Sequence, residues 1–250
     1  MSILQTFLIL SAVVVGSRSQ NALSAMPKCR HEDKECIINV CNAFFQLSAN
    51  GVPELGLVPT NPYEIKNVNV ETGAENTPIN LKIQFKRANM TGISDYKINK
   101  IIGFDKDPRK SKFELYGSVK LASLSGPYRI SGKFLLLPVS GNGHADIFFD
   151  NLKLKVVMKL DVETRDGKDY LALKKMIITM EPEKMRVNFE NLFNNKELSD
   201  NMNAVLNENN DVLFKGLQGP MQNVLGDAMA KIYVPVASKI PYADFFDKDG

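Results

Sequence analysis

Between residues 81 and 86 apolar and polar positions alternate: Leu81, Ile83 and Phe85 against Lys82, Gln84 and Lys86. A period of two is that of a strand with one buried and one wet face. The pattern returns over 152–162, where Leu152, Leu154, Val156, Met158, Leu160 and Val162 share a face opposite Lys153, Lys155, Lys159 and Asp161. Asp166-Gly167 then gives a strong hairpin signal, followed by strands over 170–180 and 185–189. Shorter strands are predicted near 112–121, 128–138 and 144–149, separated by Gly126-Pro127 and by Ser140-Gly141-Asn142-Gly143. Residues 65–190 thus read as an antiparallel meander.

Helical periods flank it. Over 33–48, Ile37, Ile38, Cys41, Phe44, Phe45 and Ser48 recur at three-to-four spacing, and Asn50-Gly51 supplies the stop. Pro53, Pro59 and Pro62 forbid helix in the loop that follows. Residues 188–210 hold nine Asn, which favours turns and caps over a helix interior. Beyond them Leu213, Leu217, Met221, Leu225, Met229, Ile232, Val236 and Ile240 step by three or four. One apolar stripe thus covers 211–240, a helix ~45 Å long that Pro220 should kink and Ile240-Pro241 ends. A sheet of long strands curls strongly, and wrapping it around this helix buries both apolar faces at once. The predicted class is α+β: a long curved antiparallel sheet wrapped around a long C-terminal helix.

Residues 3–15 are apolar except for Gln5, Thr6 and Ser11, and Gly16, Ser17 and Ser19 follow. The run is shorter than the ~20 residues of a membrane span and reads as a secretory signal peptide. The expected organisation is a signal peptide over 1–19 and one domain over 20–250, secreted, monomeric and without integral membrane association. In an oxidising destination Cys29 and Cys36 pair, closing a short loop that contributes ~2.5 kcal/mol in the chain-entropy model. Cys41 is left over, either as a buried thiol or for intermolecular pairing. A zinc site from the three Cys and His31 fits poorly, because the Cys spacing is too wide for a zinc knuckle. No cofactor or metal is implied. Asn89-Met90-Thr91 is a glycan acceptor sequence in a secreted chain.

The composition, 44% hydrophobic and 24% charged, excludes intrinsic disorder. A net charge of +3 is no electrostatic footprint for nucleic acid. Catalytic signatures are also missing: G-x-S-x-G, H-E-x-x-H, Walker A and EF-hand patterns do not occur. Ser140, His144 and Asp146 lie close in sequence, but a glycine-rich hairpin tip with a solvated His accounts for them. The chain is therefore not read as an enzyme. What remains is apolar interior surface, with bulky inward-facing Phe85, Phe113, Phe134, Phe149, Met158, Phe214 and Met221. Adaptable methionines suit a wall that accommodates a ligand, as they also suit core filling.

Several stretches carry a resemblance: the C-x6-C of Cys29 and Cys36, GVPELGLVPTNPYEI, NMTGISDYKI, YRISGKFLLLPVSGNGHADI, the NLF run at Asn191, and the closing KIPYADFF. In this order they are similar to the takeout/juvenile hormone-binding protein family of insect secreted proteins. The resemblance implies a tubular lipid-binding fold and an internal tunnel for a terpenoid such as juvenile hormone, a fatty acid or a quinone-like lipid. With no Cys after Cys41 the chain resembles the takeout branch more closely. The implied tunnel wall is Phe45, Phe85, Phe113, Tyr128, Phe134, Leu136, Phe149, Val156, Met158, Phe214, Met221 and Leu225, with Tyr116, Tyr128 and Ser131 as polar groups. The first helix and the Pro-rich loop after it would gate one end. Two other readings compete: an interaction or signalling module with a solid interior and a surface receptor as partner, and a lipid-binding defence protein with a basic, apolar tip.

Overall fold

The computed structural model describes residues 26–73 and 77–247; the expected signal peptide lies outside the described residues. In chain order the elements are α1 (Lys34–Ser48), β1 (Tyr63–Glu71), β2 (Ile79–Thr91), β3 (Lys97–Ile102), β4 (Phe113–Phe134), β5 (Leu137–Arg165), β6 (Lys168–Glu181), β7 (Lys184–Phe189), α2 (Lys196–Glu208) and α3 (Asn210–Ala237). α1 begins where the Asp33 carboxylate accepts a hydrogen bond from the Cys36 N–H, a side-chain N-cap. A disulfide joins Cys29, ahead of the helix, to Cys36 in its first turn.

β4 and β5 form the spine, in one constant register from Phe113 opposite Met158 to Phe134 opposite Leu137. The strand order is β1-β2-β4-β5-β6; β3 pairs with the start of β4, and β7 pairs with β5 over Ala145–Asp150. Drawn straight, the 29 residues of β5 would span ~95 Å. The 28 residues of α3 span only ~42 Å. The sheet therefore coils around the helix. α3 packs against β6, β7 and β1, so it bridges strands from opposite ends of the order. The sheet is rolled but not closed, and the helix fills the seam.

The two glycine-rich segments expected to separate strands run inside them instead, Gly126-Pro127 within β4 and 140–143 within β5. Their glycines mark close backbone approach rather than turns. A Cβ on Gly126 would lie 2.5 Å from the Arg87 carbonyl oxygen, and one on Gly141 would lie 2.9 Å from Cα of Leu192. Pro127 is tolerated because β2 carries an extra residue opposite it, between the Phe85–Tyr128 and Asn89–Ser125 pairs, and a bulge needs no N–H there. The real turn is Leu135-Leu136, a two-residue loop with Leu135 at φ 54°. The Asp166-Gly167 hairpin is present, both residues at positive φ, as the mirror-image turn requires.

The asparagine-rich stretch supplies the expected turns and caps, with Asn191 and Asn194 at positive φ, Asn195 as the N-cap of α2 and Asn209 as its C-cap. Asn201, Asn203 and Asn207 lie inside α2 instead, and two of them bond to a strand. The Asn203 amide donates to the Phe189 carbonyl (2.9 Å) and accepts from the Phe189 N–H (2.8 Å). Asn207, one turn on, does the same for Val187, at 2.8 Å in both directions. Residues 187 and 189 point their backbone groups off the free edge of β7, and i, i+4 amides match that spacing. On α1, Asn42 clamps Ile98 of β3 in the same way, at 3.0 and 2.8 Å.

Asn203→Ala and Asn207→Ala should each cost about 1–3 kcal/mol, because two backbone groups lose their partners. Urea unfolding measures the loss. Faster amide exchange confined to residues 187 and 189 would locate it, whereas unchanged stability would contradict the clamp.

Candidate functional site

The enclosed space lies along the inner face of α3. At its C-terminal half is an apolar chamber of about 300 Å³. α3 contributes Met229, Ile232, Tyr233, Val236 and Ala237, α1 contributes Ile37, Val40, Cys41, Phe44 and Phe45, and the sheet contributes Phe113, Leu115, Val156, Met158, Leu171 and Met176. Met229 also lines a second void of about 40 Å³ farther along the tube, with Met221, Leu225, Phe149 and Leu154. Beyond that the interior is filled: Phe85, Phe134, Phe189, Leu206 and Leu217 are each at most 1% exposed. The tube is hollow at one end and solid at the other.

Both ends of the described chain close over the chamber. Cys29 pairs with Phe246 in a short parallel bridge, and the Asp247 N–H donates to the Cys29 carbonyl (3.0 Å). His31 stacks on Phe246 with ring centroids 3.7 Å apart, and its Nδ1 lies 3.0 Å from the Phe104 carbonyl oxygen. Tyr242 donates to the Asp105 carbonyl (2.8 Å). The loop 103–112 that supplies these carbonyls is held by Arg109, which makes two hydrogen bonds to Asp169 at 2.6 and 2.9 Å. Lys28 and Asp244 are the charged residues lining the chamber.

The sequence-derived wall divides accordingly. Phe45, Phe113, Val156 and Met158 line the chamber, and Phe149, Met221 and Leu225 line the smaller void. Phe85 and Phe134 belong to the filled half. Tyr128 sits there too, against Phe189 at 5.0 Å, and its hydroxyl donates to the Glu190 carbonyl. Phe214 meets Phe149 edge to face and lines neither space. Leu136 is not a wall residue. It is 91% exposed, because it forms the β4–β5 turn. Tyr116 and Ser131 are corrected as well, since the β4 alternation turns both outward. Tyr116 instead bonds Glu114 and lies under Lys100 and Lys155. Sequence reasoning missed Cys41, Met176, Met229, Ile232 and Tyr233, although α1 had been marked as the gate and Met229 and Ile232 belong to the helical stripe.

His144 lies in the middle of β5, not at a hairpin tip, and its partner is Ser125 across the strand pair rather than Ser140. Its Nε2 lies 2.9 Å from the Ser125 hydroxyl and 3.5 Å from Asp146, while Ser125 donates to Asp146 (2.6 Å). A nucleophile triad needs the carboxylate on the other ring nitrogen. Here one nitrogen faces both groups, and none of the three lines a described cavity. Asn89 is exposed on β2.

An antiparallel sheet rolled around a long helix, with an apolar chamber at one end, defines the tubular lipid-binding fold. The chain belongs to the haemolymph juvenile hormone binding protein family, whose profile matches residues 7–247; the family comprises carriers of small hydrophobic molecules. It is 27% identical over 235 residues to the circadian clock-controlled protein daywake of Drosophila melanogaster, covering 92% of this chain and 90% of that protein. The daywake protein of Drosophila yakuba is 25% identical over 232 residues, covering 91% and 89%. The crystal structure of Takeout 1 from Epiphyas postvittana superposes with a TM-score of 0.76 at 23% identity, over 87% of this chain and 97% of that one. It has the same fold.

Burial pushes the Cys41 thiol up to about 12, so at pH 8 it stays protonated and should resist iodoacetamide in the folded protein. Urea-unfolded chain should label readily; equal rates in the two states would place the thiol outside the wall. Asp169 is held down at about 2, first by the Arg109 hydrogen bonds and then by the Thr164 hydroxyl. A carboxyl lowered from its unfolded value of ~3.9 stabilises the fold above that value, and the contribution is lost as pH falls through the folded pKa. Melting temperature should show this loss between about pH 4 and about pH 2. Arg109→Gln should flatten that limb, and an unchanged acid profile would count against the clasp.

Proposed function

We propose that the protein is a secreted carrier that holds one small apolar molecule in the chamber beneath α1. The observation that carries this reading is the chamber itself. Well-packed cores leave few voids larger than a water molecule, whereas about 300 Å³ lies at the lower end of natural ligand sites. A dry wall of this kind binds by removing apolar surface from water, at ~0.8 kcal/mol per methylene. Ten methylenes give ~8 kcal/mol before association costs, enough for micromolar or tighter binding.

Because Phe85, Phe134 and Phe189 fill the far half, the chamber suits a compact terpenoid or a medium-chain fatty derivative better than a long isoprenoid tail running the whole tube. Secretion is supported by the apolar segment at residues 3–15, by the Cys29–Cys36 disulfide, and by the family. No helix among the described residues is long and apolar enough to cross a membrane. Exposed Asn89 suits a glycan. One feature favours the defence reading: Leu136 and Leu137 are exposed at the β4–β5 turn, beside Lys133. That tip belongs to the filled end, away from the chamber.

Native mass spectrometry of protein from a secreting host should show a co-purifying apolar molecule. Met229→Trp should fill the chamber and lower uptake of a fluorescent fatty probe at least tenfold, while Phe214→Leu should leave it within about twofold, each step of ten being ~1.4 kcal/mol. Equal uptake by both variants and the wild type would remove the chamber as the binding site.

A further inference from the structure

Resting on the carrier reading, one buried atom on a residue of the chamber wall specifies more than an apolar guest. The Tyr233 hydroxyl is fully buried and has no hydrogen-bond partner, on a residue that lines the chamber. Two other buried phenols differ. Tyr96 donates to the Leu154 carbonyl, and Tyr242 to that of Asp105. Each of these hydroxyls is anchored to main chain, whereas Tyr233 presents an unused donor. An unmet buried hydroxyl is unfavourable and rare in native structures. The sequence could have placed Phe there, with the same ring and no oxygen to satisfy.

We infer that the ligand carries a neutral oxygen acceptor, a ketone, ester or ether oxygen, that receives a hydrogen bond from the Tyr233 hydroxyl while its hydrocarbon part lies against Met229, Val236, Met158 and Met176. A neutral acceptor fits better than a carboxylate, because the chamber lining around Tyr233 is apolar and a buried unpaired anion is strongly disfavoured. Of the charged residues that line the space, Lys28 and Asp244, one is of each sign. The phenol is itself neutral, since burial pushes its ionisation up, and a neutral phenol is a donor. Cys41, which α1 contributes to the lining, is a weak donor only. Selection then follows an asymmetric rule: a site built around a buried polar group rejects a guest that leaves that group unpaired.

The test compares two chains of equal heavy-atom count, methyl dodecanoate and pentadecane, by displacement of a fluorescent fatty probe from the full-length protein and from Tyr233→Phe. The wild-type preference for the ester relative to the alkane should fall five- to tenfold in Tyr233→Phe, with alkane affinity unchanged; tenfold corresponds to ~1.4 kcal/mol. Isotope-edited infrared spectroscopy supplies a readout that needs no variant. The carbonyl stretch of the bound ester should move to lower frequency than in hydrocarbon solvent, and should revert in the variant. An ester-to-alkane ratio equal in both proteins, or a bound carbonyl at its hydrocarbon-solvent frequency, overturns the inference and leaves the carrier reading standing. Failure of the wild type to take up the probe, the ester or the alkane overturns both.

Discussion

A rolled sheet that does not close has edges, and every unpaired N–H and C=O along an edge must find a partner or face water. The rest of this structure follows from how that constraint is met. α3 sits in the seam against β6, β7 and β1, and two shorter helices cover the edges of β7 and β3. Three asparagine amides make those attachments, each bonding both backbone groups of one strand residue: Asn203 with Phe189, Asn207 with Val187, and Asn42 with Ile98. A continuous, closed ladder of hydrogen bonds would have fixed the bore of the tube. A helix in the seam leaves the bore to the side chains.

Those side chains grade along the tube. Toward the β4–β5 turn end, Phe134, Phe85, Phe189, Leu217 and Leu206 are almost completely buried. Midway, Met221 and Leu225 leave a small void. At the other end, methionines and β-branched residues stand against α1, which is joined to the sheet at β3 through Asn42 rather than by a continuous ladder. Aromatic side chains occur at both ends, filling one and bordering the hollow at the other, where Met158, Met176 and Met229 stand among Phe44, Phe45, Phe113 and Tyr233.

Much of the fold was legible because period-two runs such as 81–86 and 152–158 and the i, i+4 stripe of α3 are strong local signals. The glycine segments misled because close approach to a crossing chain and a tight turn ask for the same residue, and only the tertiary neighbour, Leu192 for Gly141 or Arg87 for Gly126, tells them apart. Leu135-Leu136 carries no turn chemistry at all, so its hairpin was unreadable; the register of the long β4–β5 pair imposes it. The asparagines of α2 were misread because their partners are strand backbone distant in sequence. For the site, inward direction was predictable, as Leu136, Tyr116 and Ser131 show by exception. The position of the empty space was not. Which inward aromatic fills a core and which borders a hollow depends on how far the sheet has coiled at that level, a property of no single residue.

The bridge between Cys29 and Phe246 joins the two extremities of the described chain over the chamber. The cover of the chamber is therefore built from two ribbons near the limits of the described residues, held together by one parallel bridge rather than by a continuous ladder. On the proposed carrier function, a guest leaves by peeling back these two ribbons while the sheet stays intact, and its residence time follows local breathing there rather than global unfolding.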